Sequence, residues 1–353
     1  MTIADTVTTS SKTDDDTSEE GRPQEGVLED VEESVPVRGR GRRAESPMAI
    51  PLKGWKDILL RVYRRAMADR LGLIAAGVTF YGVMGLFPAI VALVSVYGLL
   101  TDASALQGQI QFLSGYLPPS VLELLGTELQ RISQARDGSL GLAALLSLLV
   151  ALWSVNTAVR AVFQALNVAY GEAEKRPLWR LYATTFAVAV GIIIMAVVVV
   201  NVVIILPVLI SAVGFSERTD FYMRLLSAPI FFIVMVAAAS VLYRIGPSRS
   251  SARLHWISFG SVLFSVIWIA AALGVSFYLS RFADYSATYG SLGAVIGLML
   301  WIYVTAYIFL AGAEINAEIE HQTSHDTTVG PEKPMGERGA HVADTLGATS
   351  GGG

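Results

Sequence analysis

The chain has 353 residues, of which 53% are hydrophobic and 16% are charged, and its mean hydropathy is +0.53. It contains no cysteine, which excludes disulfides, thiolate metal sites and cysteine nucleophiles. The formal net charge of −4 conceals a segregation, because acidic residues concentrate in residues 1–34 and basic residues in residues 35–70.

Both ends of the chain have the composition of disordered tails. Residues 1–50 are rich in Ser, Thr, Asp, Glu and Gly, and residues 321–353 are similar. Such segments bury too little apolar surface to offset the entropy of ordering, so we predict a disordered acidic-then-basic tail and a disordered C-terminal tail. The acidic N-terminus lacks the apolar region of a signal peptide. Insertion is therefore expected to use the first transmembrane helix of a domain at 51–320.

Residues 53–70 have the pattern of a basic amphipathic helix. The apolar residues at helical spacing are Trp55, Ile58, Leu59, Val62, Tyr63 and Met67, and the bases between them include Lys56, Arg61, Arg64 and Arg65. Beside a membrane span, such a helix usually lies in the headgroup plane and binds anionic lipid headgroups. A solvated linker helix is the alternative. A nucleic-acid-binding arm is disfavoured because a span follows at once, and no nucleic-acid partner is expected.

Six apolar segments follow, and together they predict an all-α polytopic membrane protein. We place the spans at about 71–100, 139–160, 181–213, 222–244, 256–280 and 291–314. The last contains no charge between Leu292 and Ala313, and these 22 residues would span roughly 33 Å as a helix, the thickness of a bilayer core. Basic residues before the first span and in the loop at 245–253 place both termini in the cytoplasm by the positive-inside rule.

The first outer loop, at 101–138, is too long for a plain connection. Ser120 and Glu123 form a capping-box pattern, and apolar residues repeat at helical spacing from Val121 to Ile132. We predict a second interfacial amphipathic helix here, interpreted as a structural lid or as the border of a substrate entrance.

Four motifs resemble those of the YihY/BrkB family of bacterial inner-membrane proteins. They are LGLIAAGVTFYGVMGLFPAIVALVSVYGLL at 71–100, FQALNVAYG with KRPLWR at 163–180, LYRIGPSR at 242–249, and FADYSATYGSLGAVIGLMLWIYVTAYIFLAGAEINAE at 282–318. The resemblance covers roughly residues 55–320 and implies a multi-pass protein of the bacterial inner (plasma) membrane. The resemblance indicates the architecture of the protein but does not define its molecular activity.

An older label of that family, ribonuclease BN, is not supported by these residues. A metal-dependent nuclease needs converging His and carboxylate ligands, whereas the only histidines are His255, His321, His325 and His341. His321 and His325 lie four residues apart, but beyond the last span, and we interpret them as incidental. No nucleophile elbow or phosphate-binding loop is present. We therefore expect no enzymatic activity, no metal and no cofactor.

Polar residues in or near the spans are the candidate functional groups. The ionisable ones emerge at the cytoplasmic edge and form a candidate gate: Arg160, Arg244, Glu314 and Glu318. Our hypothesis is that Arg160 or Arg244 pairs with Glu314 and closes a central cavity, and the alternative is snorkelling and membrane anchoring. The neutral candidates for lining that cavity are Thr79, Tyr81, Asn201 and Tyr303. Asn201 is alternatively an interhelical hydrogen-bonding residue.

Small residues and prolines suggest packing and hinge positions. Gly293 and Gly297 form a small-xxx-small pair that predicts close approach of the sixth span to the glycine-rich first span. Pro88 and Pro207 remove backbone hydrogen bonds within spans and predict kinks.

The sequence leaves three functions open. The first is a transporter or flippase for an amphipathic envelope component, favoured by the resemblance, the predicted kinks and a midplane that is polar but uncharged. The second is a cation/proton antiporter that works through Glu314 and Glu318. The third is a non-transporting envelope scaffold. Membrane lipids are the expected partners, and the oligomeric state is left open.

Overall fold

The computed structural model describes residues 39–100, 126–127, 139–212, 217–282 and 291–349. Seven helices contain most of these residues. They are α1 (Leu52–Ala68), α2 (Leu71–Leu100), α3 (Ser139–Ala169), α4 (Leu178–Ala212), α5 (Glu217–Ile245), α6 (Leu254–Phe282) and α7 (Ser291–Glu320). A 3-10 turn at Pro47–Ala49 precedes α1, and a short helix α8 at His341–Asp344 follows α7. Within the described ranges there is no β-strand, only an isolated antiparallel bridge between Ala252 and Thr328.

In the described part of the chain, five helices are long and apolar enough to cross a membrane, which confirms an all-α polytopic membrane protein. Their apolar segments are Leu71–Ile90, Leu148–Ala169, Leu178–Met195, Leu254–Gly274 and Val295–Glu320. In α5 the apolar segment Pro229–Ile245 is shorter, so the sixth crossing stays a prediction. The predicted outer-loop helix lies outside the described residues except at Gly126 and Thr127, which are helical.

Helix α7 is the central element of the bundle. It packs against α1, α2, α3 and α6, while α2 also packs along α3, α5 along α6, and α3 along α4. The core between these helices includes Leu71, Leu166, Tyr243, Ile257 and Leu310. Large apolar side chains that face outward, where lipid would meet the bundle, include Leu73, Leu149, Trp153, Ile194, Ile233 and Leu273.

The tightest helix contact involves other glycines than those predicted. A Cβ added to Gly260 of α6 would lie 2.3 Å from the carbonyl oxygen of Gly312 in α7. In contrast, a Cβ added to Gly297 or Gly77 would meet nothing within 4 Å. Gly297 thus has no close contact among the described residues, and its packing role stays a prediction. The side-chain environment of Gly293 lies outside the described residues. The small residues that let α7 approach a neighbour lie one to two turns from its polar C-terminus.

The prolines lie within continuous helices. α2 continues through Pro88 and α5 through Pro229, and Pro207 lies within the helical range of α4. The kinks expected at Pro88 and Pro207 stay predictions.

Residues 321–349, here called the C-terminal cap, depart from the predicted disordered tail. The cap packs on the end of the bundle, and Gln322, Thr323, Thr327 and Val342 are fully buried. The Arg338 guanidinium donates to the backbone carbonyls of Ser324, His325, Lys333 and Ala343. The composition argument missed this order because the segment is held largely by hydrogen bonds between side chains and backbone, together with a few buried apolar side chains such as Val342.

Part of the predicted N-terminal tail is also ordered. Residues 39–50 precede α1, and Ala44 and Ile50 are buried against Trp256 and Ile319. The Arg42 guanidinium donates to the carbonyl of Gly347 in the cap. Residues 1–38 lie outside the described residues. Together, residues 39–50, α1, the loops at 170–177 and 246–253, and the C-terminal cap form what we call the polar end of the bundle.

Candidate functional site at the polar end

The last two turns of α7 place three carboxylates and an amide inside the protein. Glu314, Asn316, Glu318 and Glu320 are each at most 1% exposed. A buried carboxylate is costly unless it is paired with a positive charge or holds a proton. The partner of each group therefore shows what this region can do.

Glu318 is held by α1. It accepts from Arg61 and from Arg65, at 2.5 and 3.2 Å, and the ring Nδ1 of His321 lies 3.6 Å away. Arg61 also donates to the side chain of Gln322 at 2.8 Å, which ties the cap to the same cluster. Two of the bases that we predicted to face lipid headgroups are therefore turned inward, against α7.

Glu320 forms a buried bidentate ion pair with Arg249 from the loop between α5 and α6. The two nitrogen–oxygen distances are 3.0 and 2.7 Å, and the hydroxyl of Thr327 donates to the same carboxylate at 2.9 Å. The guanidinium also lies 4.4 Å from the ring centre of Tyr170. Burial by itself would lower the pKa of Arg249, but the adjacent Glu320 carboxylate outweighs it and holds that pKa above its ordinary value.

Glu314 has no such partner. Both carboxylate oxygens are buried, and neither receives a hydrogen bond. The charged groups that face it are Arg65 and Asp69, at the end of α1, and Glu318 on α7 itself. Two further polar atoms nearby are buried without a partner, the hydroxyl of Tyr170 and Nδ2 of Asn316.

Among the described residues, the structure does not bring Glu314 together with Arg160 or Arg244 in the predicted gate. Arg160 donates instead to the hydroxyl of Tyr182 on α4, at 2.8 Å, and lies over that ring at 4.6 Å. In the part of the chain that the structure describes, no ion pair joins Arg160 or Arg244 to Glu314. The reason is rotational position, because Arg160 projects from α3 toward α4 rather than toward α7.

Asn316 fixes the contact between α6 and α7. Its Oδ1 accepts from the backbone N–H of Gly260 at 2.7 Å. This hydrogen bond requires the close approach that Gly260 and Gly312 permit. Our sequence reasoning missed Asn316, Arg249 and Asp69, although the polar residues at every second position of GAEINAEIE were a visible signal that the end of this helix presents polar groups on more than one side.

The two loops of the polar end are joined by Asn167 and Glu174. Asn167 accepts from the backbone N–H of Ser248 at 2.7 Å and donates to Glu174 at 3.0 Å. Hydrogen bonds from the Arg176 side chain, at 2.7 and 2.8 Å, lower the pKa of Glu174 to about 2 despite partial burial. This fixed loop pair holds Arg249 in place beside Glu320.

Deeper in the bundle lies an apolar cavity of about 260 Å³. Its walls include Val78 and Gly82 of α2, Val155 and Val159 of α3, Val188 and Ile192 of α4, Leu242 of α5 and Ile302 of α7. The cavity is partly open rather than enclosed, and Ile192 on its α4 wall is 45% exposed. We therefore place its opening on the side of the bundle at α4.

Three of the polar residues predicted to line a cavity, Thr79, Tyr81 and Tyr303, are not among the lining residues of this one. The hydroxyl of Thr79 donates to the carbonyl of Ala75 on its own helix, at 2.7 Å. Tyr81 is 43% exposed on the outer surface, and the hydroxyl of Tyr303 lies close to Gly72. The side chain of Asn201 lies outside the described residues. The aliphatic lining of the cavity needs no polar side chain, because the backbone hydrogen bonds of the surrounding helices are formed within each helix.

A comparison with protein-family models matches residues 62–336 to the family described as virulence factor BrkB. The chain belongs to the BrkB family. The match covers most of the chain and includes α2 to α7 together with the first part of the cap, which agrees with the resemblance seen in the sequence.

Curated relatives of this BrkB family chain include membrane proteins of several bacteria. It is 27% identical to the ribonuclease-like protein YfkH of Bacillus subtilis, over 69% of the chain and 88% of that protein. It is 28% identical to a UPF0761 membrane protein of Verminephrobacter eiseniae, over 74% of the chain but only 62% of that longer protein. A UPF0761 membrane protein of Pseudoalteromonas atlantica is 23% identical, over 80% of the chain and 96% of that protein. No solved structure matches.

Two histidines of this BrkB family chain, His321 and His341, lie close together at the polar end. His321 lies 2.9 Å from the hydroxyl of Thr345 through its Nε2, and its ring is 6.2 Å from that of His341. Within the described ranges, no three His, Asp or Glu side chains are arranged to hold a metal ion.

Proposed function

We propose that the chain is a transporter or flippase for an amphipathic envelope component, with no enzymatic activity of its own. The observation that supports this best is the apolar cavity that reaches the side of the bundle at α4. In a membrane protein that side faces lipid, so a lipid-like molecule could enter with its apolar part. A static scaffold has no need of a cavity among its spans.

The cavity has the character expected for an acyl chain. Its walls are almost entirely aliphatic, which favours apolar groups through the hydrophobic effect and disfavours ions. Val188 lies ten residues from the start of α4, roughly 15 Å from the polar end along the helix. An acyl chain in the cavity would thus leave its headgroup within reach of the charged residues at the polar end.

Filling the cavity should reduce transport. We expect Val188→Phe to slow movement of a fluorescent phospholipid between the leaflets of proteoliposomes several-fold, because the added ring occupies the cavity. Val190→Phe is the matched control, since Val190 lies two residues away on the same helix and is exposed. The readout is the fraction of label that a membrane-impermeant quencher reaches over time.

Two outcomes would contradict this proposal. One is the absence of facilitated movement by the unmodified protein for any of several phospholipids and envelope precursors. The other is equal transport by the two variants, which would remove the cavity from the mechanism.

A cation/proton antiporter is the second candidate, and Glu314 favours it. A buried carboxylate without a partner inside a transmembrane helix is a natural site for an exchanging proton or cation. Everted vesicles that show no cation-induced pH change would exclude this function.

We further propose an inner-membrane location with both termini in the cytoplasm, in which α1 contacts anionic lipid headgroups. Its outward face carries the exposed side chains Leu59, Tyr63 and Met67 together with the exposed bases Lys53, Lys56 and Arg64. Apolar groups beside bases are suited to an anionic interface.

Neutralising these bases should weaken the preference for anionic lipid. We expect the triple variant with Lys53, Lys56 and Arg64 changed to Gln to retain less co-purifying anionic phospholipid than the unmodified protein. About 1 kcal/mol is expected per base at the surface. Arg43→Gln, a single change outside α1, serves as the control. Unchanged anionic lipid content in the triple variant would contradict the contact.

A further inference from the structure

Within the part of the chain that the structure describes, Glu314 differs from the other buried carboxylates of the polar end in forming no ion pair. The others lie beside a base: Asp57 with Arg40, Glu172 with Lys175, Glu318 with Arg61 and Arg65, Glu320 with Arg249, and Asp326 with Arg338. Glu314 is as deeply buried as these, at 0% exposure, and both of its oxygens lack a donor. A bare carboxylate in this position would carry an uncompensated desolvation cost.

The acidic side chain that faces Glu314 from α1 is a second carboxyl group. Asp69, the residue that caps the C-terminus of α1, faces Glu314 within hydrogen-bond reach. Two ionised carboxylates contain only acceptors, so no hydrogen bond can form between them. One proton on either group would complete that bond and remove the repulsion between two like charges.

The other groups around Glu314 fit a proton better than a metal cation. Arg65 brings a positive charge to the same side, and Asn316 and Tyr170 present an N–H and an O–H without partners. Oδ1 of Asn316 is already used by Gly260. The carboxylate oxygens could ligate a sodium or potassium ion, but the Arg65 guanidinium would repel it and the N–H of Asn316 could not coordinate it.

We propose that Glu314 and Asp69 form an acidic pair that binds one exchangeable proton at the polar end of the bundle. The proton bridges α7 to the junction between α1 and α2. In this arrangement Glu314 and Asp69 together carry a single negative charge, which Arg65 faces.

The junction beside this pair is a strained point of the backbone. Arg70, which links α1 to α2, has φ +52°, in the left-handed region that non-glycine residues rarely adopt. Loss of the shared proton would place two negative charges between α7 and this junction, and the repulsion would push α1 away from α7. If the proposed transport is correct, this is where a proton gradient would act, but the proton site itself does not depend on transport.

Infrared spectroscopy of the purified full chain tests the site directly. We expect a carbonyl stretching band of a protonated carboxylic acid that remains at neutral pH, where ordinary carboxyl groups are ionised. This band should disappear as the pH rises further, and it should be absent at neutral pH in Glu314→Gln. Glu318→Gln is the matched control: it makes the same change four residues away, at a carboxylate paired with Arg61 and Arg65, and should leave the band in place. Asp69→Asn should also abolish it, because the new amide donates to the Glu314 carboxylate.

Thermal unfolding gives a second readout. The melting temperature of the unmodified protein should fall as the pH rises through the titration seen in the infrared, and Glu314→Gln should remove that dependence. A neutral-pH band that persists in Glu314→Gln would overturn the proposal, as would its absence from the unmodified protein at neutral pH. At constant pH, sodium or potassium could instead stabilise the unmodified protein but not Glu314→Gln. That result would show that the site binds a metal cation rather than a proton. None of these measurements involves lipid movement, so they fail or succeed independently of the proposed transport.

Discussion

Arg249→Met is expected to destabilise the protein by about 3–5 kcal/mol, because it leaves the Glu320 carboxylate buried without a positive charge. Both side chains are at most 1% exposed, so water cannot replace the missing partner. Methionine keeps much of the length of arginine beside Tyr170, which limits the change to the charge. The measurement is thermal or denaturant-induced unfolding of the purified protein in one detergent.

The same loop offers a matched control for this prediction. Arg253 donates to the backbone carbonyl of Thr328 at 3.0 Å, so Arg253→Met removes a single hydrogen bond and should cost about 1 kcal/mol. Adding Glu320→Gln to Arg249→Met should restore part of the lost stability by removing the unpaired charge. Equal effects of the two single arginine variants would show that the Arg249–Glu320 pair has no special role.

Gly260→Ala is expected to cost about 1–3 kcal/mol or more, through overpacking between α6 and α7. The new Cβ would lie 2.3 Å from the carbonyl oxygen of Gly312 and 2.5 Å from Oδ1 of Asn316. The helices must separate to admit it, which also weakens the hydrogen bond from Gly260 to Asn316. The unfolding measurement used for Arg249 would detect this loss.

Gly274→Ala is the control for the glycine prediction. Gly274 lies on the same helix, and an added Cβ would have nothing within 4 Å. Since alanine is the better helix former in aqueous hosts, this change should be neutral or slightly stabilising. A destabilisation of the Gly274 variant that matched that of Gly260→Ala would indicate a general requirement for glycine in α6 rather than a close contact.

These two predictions concern the framework that positions Glu314. Arg249 and Glu320 hold the end of α7, and Gly260 and Gly312 set its distance from α6. If either contact were lost, the geometry between Glu314 and Asp69 would change as well. The infrared band of the acidic pair should therefore weaken in Gly260→Ala even where the variant folds.

The sequence by itself determined the class of protein and most of its helices. A segment that crosses a membrane must be helical, because a helix satisfies its backbone hydrogen bonds without water, and its side chains must be apolar over a long stretch. Hydropathy alone therefore identified α2, α3, α4, α6 and α7 as membrane-crossing elements. It also identified α1 as amphipathic, and GAE-N-E as a distinctive end to the last span. These features depend on local composition and periodicity, which a sequence displays directly.

Only the tertiary structure decided which polar groups meet. Arg160 is bonded to Tyr182, Arg61 and Arg65 face Glu318, and Arg249 comes from a distant loop to pair with Glu320. Such pairings depend on the rotation of each helix about its axis and on the path of each loop, and neither changes the hydropathy of a span. The ordered C-terminal cap escaped prediction for a related reason: it is held by hydrogen bonds to specific backbone atoms, and composition does not record where those atoms lie.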